Sequence, residues 1–566
     1  MGVAEKISQD EKTTFTKKLK ENKVVKALHL NPKDVRLSLT FFAVSFIALL
    51  IGGLLGLMQG LNRAGLLQLP AWFDYYQTLT AHGVLLVLIF STTFVVGYFY
   101  AGLSYTFNGL LPIVRKLGWS AFASMVIGVV MVATTIIMGD ASVMFTFYPP
   151  MQASPYFYIG LVFLVLGIWI AAAGVFTQVG HWKKNNRGKH IPIYSYFATG
   201  VFVMLTFSSI LVAVEVFALI PWAFGWKETI NVLVARTLFW GFGHTLVNIW
   251  YLTAVSAWYT TLPKILNVEP FSDSLTRLVV FLLVILNIPG GFHHQIIDPG
   301  ITLGWKFAHV FMSLSIGFPS MMTAFAMFYL LVRAGHKRGG KGAFGWFTKL
   351  PWKDVRFLTL FIAMLAFIPG GAGGIAQTNN QLNQVVHNSL WVVGHFHLTL
   401  GVTVAVTFFG ISYWLIPYLT KRTLTPVMNR LGILQTIIWT IGMLFMAGSM
   451  HYVGLLGSPR RTSYSTYGDH ATALEWDPYL ALLAVGGTFL AIGVILMAYI
   501  VFHLMFVAPK GITEVPITVT DASETPKWLE RWGLCIILLI AIVATGYAFP
   551  LMDMINTPGS PPFRTW

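Results

Sequence analysis

Apolar runs of about twenty residues recur from residue 39 to residue 551, and they limit the fold more than any other feature of the sequence. A run of this length crosses the hydrocarbon core of a bilayer as one α-helix. Only 10% of the residues are charged, against about a quarter in soluble domains. The runs lack the strand-like alternation of a membrane barrel. The sequence therefore predicts an all-α polytopic membrane protein with about thirteen transmembrane helices.

The predicted spans divide the chain into one large membrane domain and two flanking segments. Residues 1–38 form a basic N-terminal segment, 39–551 a single transmembrane helical catalytic domain, and 552–566 a C-terminal tail. The predicted spans are 39–60, 78–105, 119–139, 155–178, 197–224, 231–262, 277–292, 304–334, 356–374, 385–418, 431–456, 477–507 and 531–551.

The net charge of +16 follows the predicted topology. Lysine and arginine cluster before the first span and after the fourth, eighth and tenth spans, which all lie on one side of the membrane. The positive-inside rule places this side, with the N-terminus, in the cytoplasm, and the C-terminus outside. We expect the plasma membrane of a prokaryote, with anionic lipid rather than nucleic acid facing these loops.

Six of the fifteen histidines lie in or at the ends of predicted spans. One such histidine alone would more often serve as a buried hydrogen-bonding residue. Six together indicate metal ligation, because intramembrane ionisable groups are costly and imidazole is a common ligand of haem iron and copper. These histidines are His82, His244, His293, His294, His395 and His397.

The spacing of the histidines predicts more than one metal position. Residues two apart on a helix point about 200° apart, so His395 and His397 face opposite sides of one helix and can hold different metals. His293 and His294 follow a proline and two glycines, which loosen the helix and let both imidazoles converge on one ion. His244 can supply a third ligand. The topology places all six in one layer in the outer half of the membrane.

Several stretches around these histidines resemble subunit I of the haem-copper oxidoreductases. They are "LTAHGVLL" (79–86), "FGHTLVN" (242–248), "GFHHQ" (291–295) and "VGHFHL" (393–398). Others resemble the B-type oxygen reductases: "TFYPP" (146–150), "VARTLFW" (234–240), "HHQIIDPGI" (293–301), "FIPGGAGGI" (367–375) and "VVHNSLWV" (385–392). The resemblance covers nearly the whole chain.

The resemblance implies two haems and one further metal. His82 and His397 would ligate a low-spin haem, presumed b-type in this family, and His395 a high-spin haem of undetermined type. The remaining three histidines would hold the non-haem metal, copper or iron. The resemblance also makes Arg460 and Arg461 ligands of the haem propionates, with His387 and Asn383 beside them.

The sequence departs from the B-type pattern at Asn248. Oxygen reductases of this type carry a tyrosine four residues after the first non-haem histidine, here His244, and the tyrosine is linked covalently to it. Positions i and i+4 share a helix face, so Asn248 takes its place beside the metal. The tyrosine supplies the fourth electron for cleaving dioxygen and becomes a tyrosyl radical, whereas asparagine forms neither that radical nor the cross-link. Joining two NO molecules needs two electrons, which two metals can deliver.

The family's proton path from the cytoplasm is also altered. Tyr259, Ser320 and Thr323 match it, whereas Val255 and Ala326 replace a tyrosine and a threonine. The path is therefore interrupted or depends on water, and Asn383 replaces an aspartate near the propionates. These departures predict poor proton pumping.

Glu215 is the one carboxylate that the sequence suggests for the buried site. The commoner haem-iron NO reductases carry a glutamate close to the non-haem iron, and no glutamate lies beside His244 in the sequence. Glu215 can transfer protons, ligate the metal, or be a protonated structural residue. A nearby carboxylate would favour iron over copper.

These patterns predict a respiratory oxidoreductase that reduces nitric oxide to nitrous oxide. The alternative is a terminal cytochrome c or quinol oxidase, and a second alternative, from another class, is an ion or solute transporter. The only cysteine, Cys535, cannot build a dinuclear copper centre. We therefore expect a copper-bearing subunit II as the electron entry, cytochrome c or a similar donor, and a small extra membrane subunit.

Overall fold

The computed structural model describes residues 30–511, 513–514, 517–518, 520 and 522–564. Thirteen helices in this part of the chain are long and apolar enough to cross a membrane, as predicted. They are α1 (Pro32–Arg63), α2 (Tyr75–Thr106), α3 (Pro112–Ile137), α4 (Pro155–Asn185), α5 (Ile193–Ala223), α6 (Val232–Leu266), α7 (Asp273–Gln295), α8 (Leu303–Lys337), α9 (Val355–Thr378), α10 (Leu390–Thr420), α11 (Pro426–Leu455), α12 (Ala471–Val507) and α13 (Trp532–Met554).

The first helix begins earlier than the predicted boundary at residue 39. Asn31 caps it by accepting a hydrogen bond from the backbone of Lys33, and Pro32 occupies the first helical position. The charged residue Asp34 is buried because Arg115 pairs with it at 2.6 Å and Ser104 donates to it at 2.7 Å. Pairing thus brings a polar stretch into the bundle. The lysines of residues 1–29 lie outside the described residues.

The tenth predicted span is also wrong at its start. The prediction began it at residue 385, but a short helix over Asn380–Val386 ends there and α10 starts at Leu390. Ser389 caps α10 by accepting a hydrogen bond from the backbone of Trp391. His387 therefore lies in the break between two helices rather than in a span.

Several spans depart from α geometry next to the histidines. A π-helical segment over Val84–Phe90 follows His82, and another over His397–Val404 begins at His397. The end of α7 is a 3-10 helix over Ile288–Gln295 that carries His293 and His294. The regular α-helix therefore ends at Pro289 and the glycines after it, where the sequence predicts an interruption.

Glycines let neighbouring spans approach closely. A Cβ at Gly128 of α3 would lie 2.5 Å from the carbonyl oxygen of Gly160 in α4, and a Cβ at Gly486 of α12 would lie 2.6 Å from that of Gly442 in α11. Small residues at such crossings are typical of membrane helix packing.

The C-terminal segment returns to the end of the bundle where α3 ends. Strand β1 (Met151–Gln152) pairs in parallel with β2 (Phe563–Arg564). The backbone amide of Phe563 also donates to the carbonyl of Pro150 at 2.7 Å. The tail is thereby fixed beside the loop that follows α3.

Candidate metal and haem sites

All six predicted histidines line one internal cavity of about 700 Å³. The cavity lies among α1, α2 and α6 to α12, and most of its lining is apolar. Asn248, Ser320, Asn383, His387, Arg460 and Arg461 also contribute to its wall. The structure thus gathers in one place residues spread over nearly four hundred positions of the sequence.

His82 and His397 face each other across part of the cavity. Their ring centroids are 6.2 Å apart, and their planes differ by 11°. The Nδ1 of His82 lies 2.8 Å from the carbonyl oxygen of Gly52, and that of His397 lies 2.9 Å from the carbonyl of Val393. Such bonds fix Nδ1 as the donor and leave both Nε2 atoms to bind a metal.

The helix opposite His82 is shaped to admit its ring. A Cβ at Gly56 of α1 would lie 2.8 Å from Cε1 of His82. A larger residue at this position would displace the imidazole from the cavity.

His244, His293 and His294 form a second group, in which one nitrogen from each ring lies within 4.8 Å of the others. The Nδ1 of His293 lies 2.8 Å from the hydroxyl of Ser313 in α8, which itself donates to the carbonyl of Gly290 at 2.9 Å. The Nε2 atoms of His244 and His294 are buried with no hydrogen-bond partner among the described residues. Convergent, unpartnered imidazole nitrogens of this kind suit a three-coordinate metal site.

Trp240 fixes the ring of His294 by stacking on it, with centroids 3.7 Å apart and planes 6° apart. A Cβ at Gly290 would lie 2.7 Å from Nε2 of His244, so this position must also stay small.

His395 lies two residues before His397, but its ring faces another part of the cavity. Its Nδ1 is turned towards α9, where a Cβ at Gly373 would lie only 2.5 Å away. Trp391 flanks the ring with its centroid 6.1 Å distant and its plane 17° off parallel. The rings of His395 and His397 therefore have different neighbours, α9 for His395 and His82 for His397.

Asn248 lies on the same face of α6 as His244 and lines the cavity. Its side-chain amide donates to the carbonyl of His244 at 3.0 Å, along its own helix. The residue thus presents a small neutral amide where the resemblance would place a phenol.

Arg460 and Arg461 meet a third guanidinium group at one end of the cavity. Arg461 and Arg236 pack over the ring of Tyr148, at 5.4 and 5.2 Å from its centroid. Asp298 pairs with Arg236 at 2.9 Å. Burial and the adjacent Arg461 lower the pKa of Arg460 to about 9. The surplus of buried positive charge suits an anionic ligand such as paired carboxylates.

His387 and Asn383 form a hydrogen-bonded pair beside these arginines. The Nδ1 of His387 lies 3.1 Å from Oδ1 of Asn383, whose amide donates to the carbonyl of Gln377 at 2.7 Å. Burial, with Arg460, Arg236 and Arg461 nearby, lowers the pKa of His387 to about 4. A neutral His387 at neutral pH follows.

Glu215 is buried on α5, and neither of its carboxylate oxygens has a hydrogen-bond partner in the described part of the chain. It does not line the cavity that holds the histidines. This position argues against metal ligation and leaves the expectations of proton transfer and of a structural role.

The three predicted proton-path residues lie close together between α6 and α8. Tyr259 and Thr323 are buried, and Ser320 lines the cavity. The hydroxyls of Ser320 and Thr323 donate to carbonyls of their own helix, those of Ile316 and Pro319, at 3.0 Å.

Sequence reasoning missed residues that support the ligands. Arg236 and Asp298 stand inside quoted motifs, but nothing in their spacing signalled an ion pair. Ser313 and Trp240 act only through contacts across helices, which one sequence does not reveal. Tyr251 lies on the same helix face as His244, and this position could have been predicted from the spacing alone.

The fold and the site together define a class: a multi-span membrane metalloprotein whose imidazoles can hold two haems and a third metal. These groups fit the site by donor chemistry: the paired rings of His82 and His397, the unpartnered nitrogens around His244, and the arginine-rich end of the cavity.

Comparison with known proteins supports this class. A family model described as "Cytochrome C and Quinol oxidase polypeptide I" matches residues 36–489. Cytochrome c oxidase subunit 1 of Thermus thermophilus is 34% identical over 552 residues, covering 94% of this chain and 97% of the relative. A probable cytochrome c oxidase subunit 1-beta of Nocardia farcinica is 27% identical over 461 residues, covering 77% and 73%. A heme-copper terminal oxidase dimer solved by cryo-EM has a TM-score of 0.86 and 33% identity, covering 94% and 95%.

The chain belongs to the subunit I family of the haem-copper oxidases. The predicted family and fold are confirmed, and the near-complete match to the Thermus relative is consistent with the B-type scaffold. The transporter alternative is wrong. These named relatives are cytochrome c oxidases, so they support oxygen reduction better than the predicted nitric oxide reduction.

Proposed function

We propose that this chain is the catalytic subunit of a membrane reductase that converts two NO molecules, two electrons and two protons into N2O and water. The observation that carries the proposal is Asn248, which lines the cavity one helical turn from His244. Reducing NO needs only the two electrons that two metals can supply. It therefore tolerates the loss of a redox-active phenol at this position.

The proposal assigns each cofactor to a set of histidines. His82 and His397 would hold a low-spin haem, His395 would hold a high-spin haem, and the trio of His244, His293 and His294 would hold copper or iron. When bound, these groups supply the electrons and an open coordination position for a small gas. Three neutral imidazoles suit either non-haem metal.

The protein residues give the site its selectivity for small, neutral ligands. The cavity wall near the trio is formed by apolar and aromatic side chains such as Val247, Trp250 and Phe367. Such a wall binds no ion and excludes bulk water. Apolar gases can reach it from the hydrocarbon region of the membrane.

Oxygen reduction is the second candidate, and the names of the relatives favour it. It needs four electrons and four protons for each dioxygen molecule, and therefore a fourth electron donor near the trio. Asn248 cannot be that donor. Under this candidate the chain is a cytochrome c or quinol oxidase whose fourth electron comes from another group.

The proposed assembly places the chain in the plasma membrane of a prokaryote, with the N-terminus in the cytoplasm. A copper-bearing subunit II delivers electrons from cytochrome c or a similar donor, and a small extra membrane subunit completes the complex. The sole cysteine, Cys535, is buried in α13 away from the cavity lining, which supports a copper centre on another chain.

Side-by-side turnover of the purified complex with NO and with oxygen tests the proposal. We expect N2O formation to be faster than oxygen consumption at equal electron supply. The His395→Ala variant provides the background for both gases. Fast oxygen consumption with negligible N2O would overturn NO reduction and establish the second candidate.

A further inference from the structure

Tyr251 presents a buried hydroxyl that forms no hydrogen bond with any described residue. It lies within the membrane span α6, seven residues after His244 and on the same helix face. Buried hydroxyl groups in folded proteins nearly always have a protein or water partner. An orphan phenol near the gas site therefore calls for a partner that the protein atoms do not supply.

The orientation of this phenol is fixed by aromatic packing. Its ring stacks on Phe367 of α9 with centroids 4.2 Å apart and planes 10° apart, and Trp258 closes the edge with its centroid 6.1 Å away. The hydroxyl thereby lies near the side chains of Ser320 and Thr323 in α8, without a regular hydrogen bond to either.

Tyr259 repeats this arrangement two turns further along α6. Its hydroxyl is also buried without a hydrogen bond among the described residues, and it also interacts with Thr323. Eight residues of helix separate the two phenols by about 12 Å along the axis. Thr323 donates to its own helix, so its oxygen remains free to accept from either side.

The two ends of this row of hydroxyls open in different directions. Ser320 lines the central cavity together with Asn248 and Phe367. At the other end, Tyr259 lies close to the end of α6, where Lys264 pairs with Glu514 at 3.8 Å and the Glu514 side chain is 65% exposed. The row thus links the charged end of the bundle with the gas site.

Tyr251 also supplies a hydroxyl close to the interruption of the proton path at Val255 and Ala326. Val255 and Ala326 are fully buried and offer no polar atom between Tyr259 and the cavity. Tyr251 lies one turn nearer to the cavity than Val255, on the same helix face. Tyr251 thus places a buried phenol of α6 one turn nearer to the cavity than Val255.

We infer that Tyr251 carries protons from the Thr323 side to the Ser320 side and so supplies the reduction of gas in the cavity. A proton arrives at the phenol oxygen through a bridging water from Thr323, and the original O–H proton leaves towards Ser320. The phenol is neutral before and after, and no electron moves. The inference rests on the proposed reductase function but applies to either gas, since both reactions consume protons.

The test is the Tyr251→Phe variant of the whole complex in liposomes. Phenylalanine keeps the stack on Phe367 and removes only the hydroxyl. We expect steady turnover to fall by roughly tenfold or more, the scale of a lost proton-transfer group, with a larger solvent deuterium isotope effect. Haem spectra, CO binding to the reduced protein and the rate of the first electron entry should stay unchanged.

Tyr100→Phe is the matched control. Tyr100 is a buried phenol of α2 that donates to the carbonyl of Ala171 at 3.0 Å, away from the cavity lining. Its loss should leave turnover and isotope effect at the wild-type values. The Ser320→Ala variant should resemble Tyr251→Phe, and the double variant should fall no further, because the two residues act in series.

Each outcome decides the inference. Unchanged turnover and isotope effect in Tyr251→Phe would overturn it, and so would slow turnover with altered haem spectra and an unchanged isotope effect, which marks a structural role. A wild-type complex that reduces oxygen but not NO would refute the proposed substrate. It would leave this test intact, with oxygen as the gas assayed.

Discussion

His82 and His397 lie with nearly parallel rings whose centroids are 6.2 Å apart, although 315 positions separate them in the sequence. An ion bound to both rings through bonds of about 2.0 Å holds their centroids roughly 6.4 Å apart. Both Nδ1 atoms lie against backbone carbonyls. The spacing therefore fits two imidazoles that would hold one metal ion between them.

Replacing either ring should remove one haem. We expect His82→Ala and His397→Ala each to lose the low-spin haem and its spectrum, because one axial ligand is missing. Haem content per chain and the reduced-minus-oxidised spectrum measure the loss. CO binding at the His395 side should persist. An unchanged haem content and an unchanged low-spin spectrum in either variant would refute the assignment.

His395→Ala should have the complementary effect. It should abolish turnover and CO binding to the reduced protein, because His395 is the proposed ligand of the haem with an open face. The low-spin spectrum should remain, which serves as the internal control for folding. Intact CO binding would show that another residue holds that haem.

Ser313→Ala tests the support of the metal trio. The Ser313 hydroxyl is the partner of His293 Nδ1, and losing such a partner typically lowers metal affinity by roughly 10- to 100-fold. Non-haem metal content after dialysis against a chelator measures the change. Ser315→Ala is the control, because the Ser315 hydroxyl donates to the carbonyl of Met312. Equal metal retention in both variants would contradict the role of Ser313.

The Asn248→Tyr variant tests the proposed reason why this chain reduces NO rather than oxygen. A phenol beside His244 restores the group that can supply a fourth electron, so the ratio of oxygen to NO turnover should rise. Asn248→Phe fills the same space without the hydroxyl and should not raise it. An equal rise in both variants would attribute the effect to cavity size instead.

The number of helices and the six histidines followed from the sequence because both depend on local rules. Hydropathy measures span length, and i, i+2 spacing sets the facing of His395 and His397. The sequence did not predict the start of α1, which depends on a contact with another helix, or the break at His387, which depends on a local cap at the start of α10. Asp34 is paired with Arg115, and Ser389 caps the next helix.

The supporting contacts were less predictable than the ligands. Arg236 joins Asp298 and Tyr148 only after three segments meet, and Ser313 reaches His293 from another helix. The spacing in the sequence places Tyr251 on the same face of α6 as His244. Its surroundings on α8 and α9 became apparent only in the folded bundle.

The π-helical segments beside His82 and His397 have a consequence for how the chain tolerates length changes. A π turn contains about one residue more than an α turn, and each residue rotates a helix by about 100°. Deleting one residue from Val84–Phe90 or from His397–Val404 would restore regular winding. Because the π turn had taken up that residue, the side chains after it would keep their present rotation and neighbours. Single-residue deletions there should therefore be less damaging than a deletion in the regular α-helical part of the same span, such as Ser91–Thr106.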